Sequence, residues 1–267
     1  MKRLKNFLLI IIILLFTYAG FNEAASKRDD KKLIHEKTFN ISPGKKLFIE
    51  TDTGDISITP WNKSEVYVKV IGNDNASEKF DYEFIASSEE VKIIAEKKNG
   101  WNLFSNIKLK FEIKIPENFN INANTSGGDI RVGGIKGDII LNTSGGDIQG
   151  DRIAGNFSAK TSGGDIKIFS DNAKISAVTS GGDIELIYTG ENKGIELKTS
   201  GGDIDINVPA TFDARAELRT SGGDVECNLK LNDVKKMSKT KVEANLNNGG
   251  NPLIAVTSGG DITVYKK

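Results

Sequence analysis

A six-residue phrase, Thr-Ser-Gly-Gly-Asp-Ile, recurs along the chain and constrains its fold more than any other feature. Copies stand at Thr125–Ile130, Thr143–Ile148, Thr161–Ile166, Thr179–Ile184, Thr199–Ile204 and Thr257–Ile262, with a valine variant at Thr220–Val225. Successive threonines are 18, 18, 18, 20, 21 and 37 residues apart. Self-similarity at such a period marks stacked structural repeats, and the longest interval reads as two turns with one phrase eroded. Apolar or small side chains sit four and two residues before each threonine, as in Ile139/Leu141 and Ile175/Ala177. They return one and three residues after the aspartates, as in Ile166/Ile168 and Ile204/Ile206. A step of two is the strand period, so each copy joins two short strands that share a buried face. The column between them varies freely (Arg131, Gln149, Lys167, Glu185, Asp205, Glu226, Thr263), as a solvated face does.

Two strands of four or five residues cannot bury a core alone, but stacked coils bury a continuous one. The expected fold is all-β: a right-handed parallel β-solenoid of about 18-residue coils, with an irregular strand-rich N-terminal cap. A short hydrophobic export or anchor helix precedes it. Parallel strands lie about 4.8 Å apart, so seven steps from the Thr125 coil to the Thr257 coil predict a column roughly 34 Å tall. A left-handed hexapeptide helix needs an apolar residue every sixth position, and stepping from Ile130 gives Lys136 and Asn142 instead. In the turn, the pairs Gly127/Gly128, Gly145/Gly146, Gly163/Gly164 and Gly181/Gly182 are expected to supply positive φ. The inward threonine hydroxyls are expected to bond to one another from coil to coil.

Four segments follow in order. Residues 1–25 join a basic leader to an unbroken apolar run, Phe7–Phe16, and predict a signal peptide, or an uncleaved membrane anchor through residues 4–21. Either implies an exported chain of the cell envelope. Residues 26–35 form a charged linker. Residues 36–124 are an N-terminal cap with degenerate coils, and residues 125–267 the regular solenoid, the two making one continuous domain from 36 to 267. The cap holds a worn copy of the phrase, in which Thr51, Gly54, Asp55 and Ile56 survive. Thr51 to Thr125 spans 74 residues and reads as about four coils with swollen loops at Gly72–Lys79 and Lys97–Asn106. Trp61, Phe80, Tyr82, Phe84, Trp101 and Phe104 fall in this part, as cap core or, for Trp61 and Trp101, a binding rim. The lysine-rich run from Lys230 to Lys241 reads as a solvated loop, with a docking patch as the alternative.

Composition restricts the chemistry. Lys plus Arg and Asp plus Glu balance at 36 each, so no global field attracts nucleic acid. The lone Cys227 sits in an inward column and forms no internal disulfide. With one histidine, His35, no histidine-based triad or multi-histidine metal site can be built. No phosphate-binding loop is present, and the glycine pairs lie between strands rather than before helices. Neither a cofactor nor catalysis is expected.

One column carries charge: Asp129, Asp147, Asp165, Asp183, Asp203, Asp224 and Asp261. Carboxylates one coil apart repel by about 0.9 kcal/mol in water and about 3.5 kcal/mol at an effective dielectric of 20. Turn N–H donors can offset that repulsion. Calcium could do so too, since it takes six to eight oxygen ligands, and an acidic sugar or surface contact is a third possibility. Calcium-binding β-rolls use a nine-residue Gly-Gly-x-Gly-x-Asp repeat, whose Gly-x-Asp half is missing here.

The repeated phrase, the opening Phe39–Thr59 and the closing Asn248–Val264 together carry a resemblance. Over residues 36–267 the chain resembles the bacterial family of proposed adhesins. These are β-strand-repeat domains first described as of unknown function and akin to head-GIN domains. The resemblance implies an exported or membrane-tethered β-solenoid that acts as an adhesin-like surface or envelope module, with an envelope, glycan or protein partner. An envelope-stress sensor or spacer is the alternative, and a polysaccharide-acting enzyme a third reading. It brings no catalytic motif.

Overall fold

The computed structural model describes residues 31–98 and 106–266, and Lys31–Lys267 forms one compact unit. The expected leader at residues 1–25, most of the linker, Trp101 and Phe104 lie outside the described residues. The N-terminal part comprises β1 (Lys32–Asn40), β2 (Lys46–Thr51), β3 (Asp55–Trp61), β4 (Glu65–Gly72), α1 (Asp74–Lys79), β5 (Phe80–Ala86), β6 (Glu90–Lys97) and β7 (Leu109–Pro116). The middle comprises β8 (Asn120–Thr125), β9 (Ile130–Gly133), β10 (Lys136–Asn142), β11 (Ile148–Lys160), β12 (Ile166–Asp171), β13 (Lys174–Val178), β14 (Ile184–Thr189), β15 (Ile195–Lys198) and β16 (Ile204–Val208). The chain closes with β17 (Ala214–Arg219), β18 (Val225–Cys227), β19 (Leu231–Ser238), β20 (Lys241–Leu246), β21 (Pro252–Val256) and β22 (Ile262–Lys266).

Two sheets share the long strand β11, which bends from one into the other. Each repeated phrase crosses between them. In the first sheet, the parallel order is β7-β3-β9-β11-β12-β14-β16-β22-β18. In the second it is β6-β2-β8-β10-β11-β13-β15-β21-β17. Equivalent residues stack in register: Ile130 on Ile148, then Ile166, Ile184, Ile204 and Ile262. Those isoleucines are at most 1% exposed, and burying each contributes about 1.5–3 kcal/mol.

The coils do not stack in chain order at either end. The last coil, β21–β22, slots between the Thr199 coil and the Thr220 coil. The interval between Thr220 and Thr257 holds no eroded coil; it holds β19 and β20, which add antiparallel strands beyond β17. The lysine-rich run is therefore largely strand rather than loop. Thr51 likewise pairs directly with Thr125. The 74 residues between them build one further coil on the far side of β2 and β3, with antiparallel β4, β1 and β5 outside it. Five steps, not seven, separate the Thr125 and Thr257 coils. Spacing alone cannot distinguish a coil added at an end from one inserted a step earlier, because the same interval fits both. Antiparallel strands cover three of the four parallel edges, those of β6, β7 and β17, which would otherwise template further pairing, while β18 pairs only with β22. The loop expected at Gly72–Lys79 contains α1, whose first turn is capped by the Asn73 side chain accepting from the Ala76 N–H at 3.1 Å.

The turn is built differently from expectation. No glycine of the repeated pairs has a positive φ. The second glycine is required by closeness instead: a Cβ on Gly146, Gly164, Gly182 or Gly202 would overlap the carbonyl oxygen of the matching glycine one coil away. At the first position the demand eases: a Cβ on Gly145 would meet nothing within 4 Å, one on Gly163 or Gly181 only ordinary contacts, and one on Gly222 or Gly259 a carbonyl at 3.2 Å. The threonine hydroxyls do not bond to one another. Each donates to that same glycine carbonyl, as Thr143 to Gly128 and Thr161 to Gly146, both at 2.9 Å. The carbonyl is thus buried but satisfied, as a buried acceptor must be.

Candidate binding groove

The aspartate column is a hydrogen-bond ladder. Each carboxylate Oδ1 accepts from the backbone N–H of the aspartate one coil on: Asp129 from Asp147 at 3.0 Å, Asp147 from Asp165 and Asp165 from Asp183 at 2.9 Å. The ladder continues through Asp183 from Asp203 at 2.8 Å, Asp203 from Asp261 at 2.7 Å and Asp261 from Asp224 at 2.8 Å. Asp147, Asp183, Asp203, Asp224 and Asp261 are exposed, so their repulsion is near the aqueous figure of about 0.9 kcal/mol. A hydrogen bond to a charged acceptor is worth about 1.5–3 kcal/mol, so the ladder wins. Among the described residues no three His, Cys, Asp or Glu side chains are gathered as a metal ion needs. Asparagine at Asp165 keeps the acceptor and is expected to change stability by less than about 0.5 kcal/mol. Alanine at Asp165 removes the charged acceptor of the Asp183 N–H, leaving water to replace it, and is expected to lose about 1–3 kcal/mol, the worth of a hydrogen bond to a charged group. Urea denaturation of the pair measures the difference; equal losses would refute the ladder.

The aromatic residues divide. Phe80, Tyr82 and Phe84 pack as cap core, with His35 edge-on to Tyr82 and Phe84 at 4.8 and 5.4 Å. Burial, and then the Lys37 charge, hold the His35 pKa below its usual value. Cys227 is half-buried against the core rather than enclosed by it, and burial pushes its thiol pKa up. Trp61 stands at the end of β3, its ring centre 5.9 Å from that of Tyr67. Its indole N–H donates to the Glu65 carbonyl at 2.7 Å, and the Lys63 Nζ lies 4.8 Å from the ring centre.

Trp61 opens onto a groove of about 780 Å³ that crosses several coils where the strands of the first sheet end. Pro60, Trp61 and Phe169 supply its apolar surface, and Phe169 is 37% exposed. Four charged residues line it: Lys136, Arg152, Glu117 and Asp171. Lys136 pairs with Glu117 at 3.0 Å, and Arg152 with its neighbour Asp151 at 3.2 Å. Arg152 owes its position to a β-bulge. Asp151 faces Phe169 and Ile153 faces Ser170, which leaves Arg152 as the extra residue, at φ 49°. A bulge re-aims the side chain it carries. A second groove of about 670 Å³ runs over β17, β20 and β21, lined by Arg215, Glu217, Lys235 and Glu243 without an aromatic residue.

The Toastrack DUF4097 family model matches residues 44–174 and again 156–265. The chain belongs to this family. No curated protein matches it. Among solved structures, a proposed adhesin from Bacteroides fragilis is similar at 15% identity and TM-score 0.48, covering 90% of this chain and 99% of that one. A proposed lipid-binding protein from Parabacteroides distasonis aligns at 16% identity and TM-score 0.40, over 90% and 98% of the two chains. A proposed cell adhesion protein from Clostridium sporogenes aligns at 12% identity and TM-score 0.37, over 88% and 100%. In this Toastrack chain Pro60, Lys136, Arg152 and Phe169 join Trp61, and none of these four lies in the repeated phrase. A signal was available in the looser turn. Gly134, at φ 68°, and Arg152 stand 18 residues apart, so arginine replaces glycine at an equivalent left-handed position.

Proposed function

We propose that this Toastrack protein is an exported, non-catalytic interaction module of the cell surface or envelope, and that its contact site is the groove at Trp61. The observation that carries the reading is the groove itself: about 780 Å³, open, and built from several coils at once. Concave sites that combine apolar surface with a few placed polar groups are where ligands bind by default. The proposal includes a right-handed coil of about 18 residues and an N-terminal signal or anchor at residues 1–25. Among the described residues no helix is long and apolar enough to cross a membrane.

The full-length chain, purified in mild detergent, is expected to be retained saturably by whole cells or by isolated envelope fractions. Absence of retention on every fraction overturns the interaction reading in favour of an envelope spacer or sensor. N-terminal sequencing of protein recovered from cells separates a cleaved signal from a retained anchor.

A further inference from the structure

We propose that the groove takes an extended, uncharged glycan lying across the coils, with Trp61 and Phe169 as stacking platforms and Arg152 as the donor that sets its register. The assignment rests on the surface-interaction reading and gives it a ligand class. Three independent observations converge on it.

The first is backbone conformation. Among the described residues four non-glycines have positive φ: Arg152, Asn172, Asp233 and Asn247. Asn and Asp adopt this region readily, whereas arginine does not. Glycine occupies the equivalent turn position at Gly134, so the fold does not need a side chain there. Retaining one at a bulge, 70% exposed and facing the groove, places a guanidinium whose partner is the adjacent, solvent-exposed Asp151 carboxylate, a pair that contributes little to the coil. Uncompensated strain of this kind collects at binding sites.

The second is charge. Lys136 and Arg152 are matched by Glu117 and Asp171 along the groove, and the two cations already have carboxylate partners at 3.0 and 3.2 Å. A polyanion needs a net positive wall and a polycation a net negative one. Paired ions keep spare donors and acceptors, since a guanidinium has five N–H groups, and these suit ligand hydroxyls. The aromatic and proline surfaces complement the C–H faces of a sugar ring. An added peptide strand is disfavoured, because β9, β11, β12 and β14 are each paired on both sides and leave no open edge there.

The third is period. The backbone beneath the groove steps once per coil, at about 4.8 Å, close to the length of one pyranose in an extended chain, although the side chains on it differ from coil to coil. From β3 to β14 it passes five strands, so about five sugar units can lie along it.

The test titrates the full-length chain, by calorimetry, with neutral linear gluco-, xylo-, manno- and galacto-oligosaccharides of two to seven units, and with oligogalacturonate as the anionic arm. One neutral series is expected to bind, strengthening with length up to about five units and then levelling. Arg152→Gly is expected to weaken that binding at least about tenfold while leaving the urea midpoint unchanged or higher, because glycine accepts the local φ. Trp61→Ala is expected to weaken it similarly, with its own midpoint checked. Binding of oligogalacturonate alone, or undiminished binding by both variants, overturns the proposal. So does retention on envelope fractions that protease abolishes, with no oligosaccharide bound; that result leaves the interaction module standing and removes only the glycan.

Discussion

Alanine at Gly164 is expected to cost about 3 kcal/mol of unfolding free energy or more, whereas alanine at Gly145 changes it by less than about 0.5 kcal/mol. Both are glycines of the same repeated phrase, and neither has a positive φ, so conformational freedom cannot separate them. Their surroundings do. A Cβ on Gly164 would fall on the carbonyl oxygen of Gly146 and within 2.7 Å of Asp147 Oδ1. The carbonyl belongs to backbone that cannot rotate aside, and it already accepts from the Thr161 hydroxyl. Relief requires the coils to part locally, which stretches the 2.9 Å bond from the Asp165 N–H to the Asp147 carboxylate. Gly145 faces open space. Equilibrium urea denaturation of the two variants decides the matter, and equal small losses would show that closeness is not what demands the second glycine.

Phe157→Ala is expected to destabilise by about 3–5 kcal/mol, the usual range for emptying an aromatic core site. Phe157 is 2% exposed and stacks between Ile139 and Ile175. Its ring lies where a side chain at position 150 would begin: a Cβ on Gly150 would approach the ring carbon Cζ to 2.9 Å. Neighbouring coils carry Val132 and Ile168 at the position that Gly150 holds, so one large side chain fills the space of two. The sign of a second change follows. Gly150→Ala alone is expected to destabilise by overpacking, and in the Phe157→Ala background it is expected to recover part of the loss. A double-mutant cycle by urea denaturation reads this directly, and additive losses would mean that the two sites do not share one volume.

Much of the interior was legible in the repeat. Ile148, Ile166 and Ile184 stack because identical residues at a constant offset from the turn meet when coils superpose. The aspartates likewise form one line, though their bonding partner, the N–H of the next aspartate, could not be read from spacing. The role of glycine is hidden for a related reason: a local turn rule predicts positive φ, whereas a contact between coils is what requires the second glycine. The groove was less legible still. Trp61 could be noticed as an aromatic residue, but Phe169 belongs to a column that varies from coil to coil. Arg152 matters only because a bulge turns it outward.

By itself, the sequence determined that this chain folds as stacked two-strand coils with an isoleucine core and a continuous aspartate edge. Those features follow from a period repeated many times over, and every copy restates the same local preference. Tertiary structure alone decided which coil lies next to which at the ends. The final coil enters one step before the Thr220 coil, and the Thr51 coil sits directly against the Thr125 coil. The same placement decided that Pro60–Trp61 and Phe169, far apart in the chain, border one groove. The reason is physical: a parallel ladder accepts any coil of matching register, so the order of coils is settled by how the ends are covered, which no spacing between repeats records.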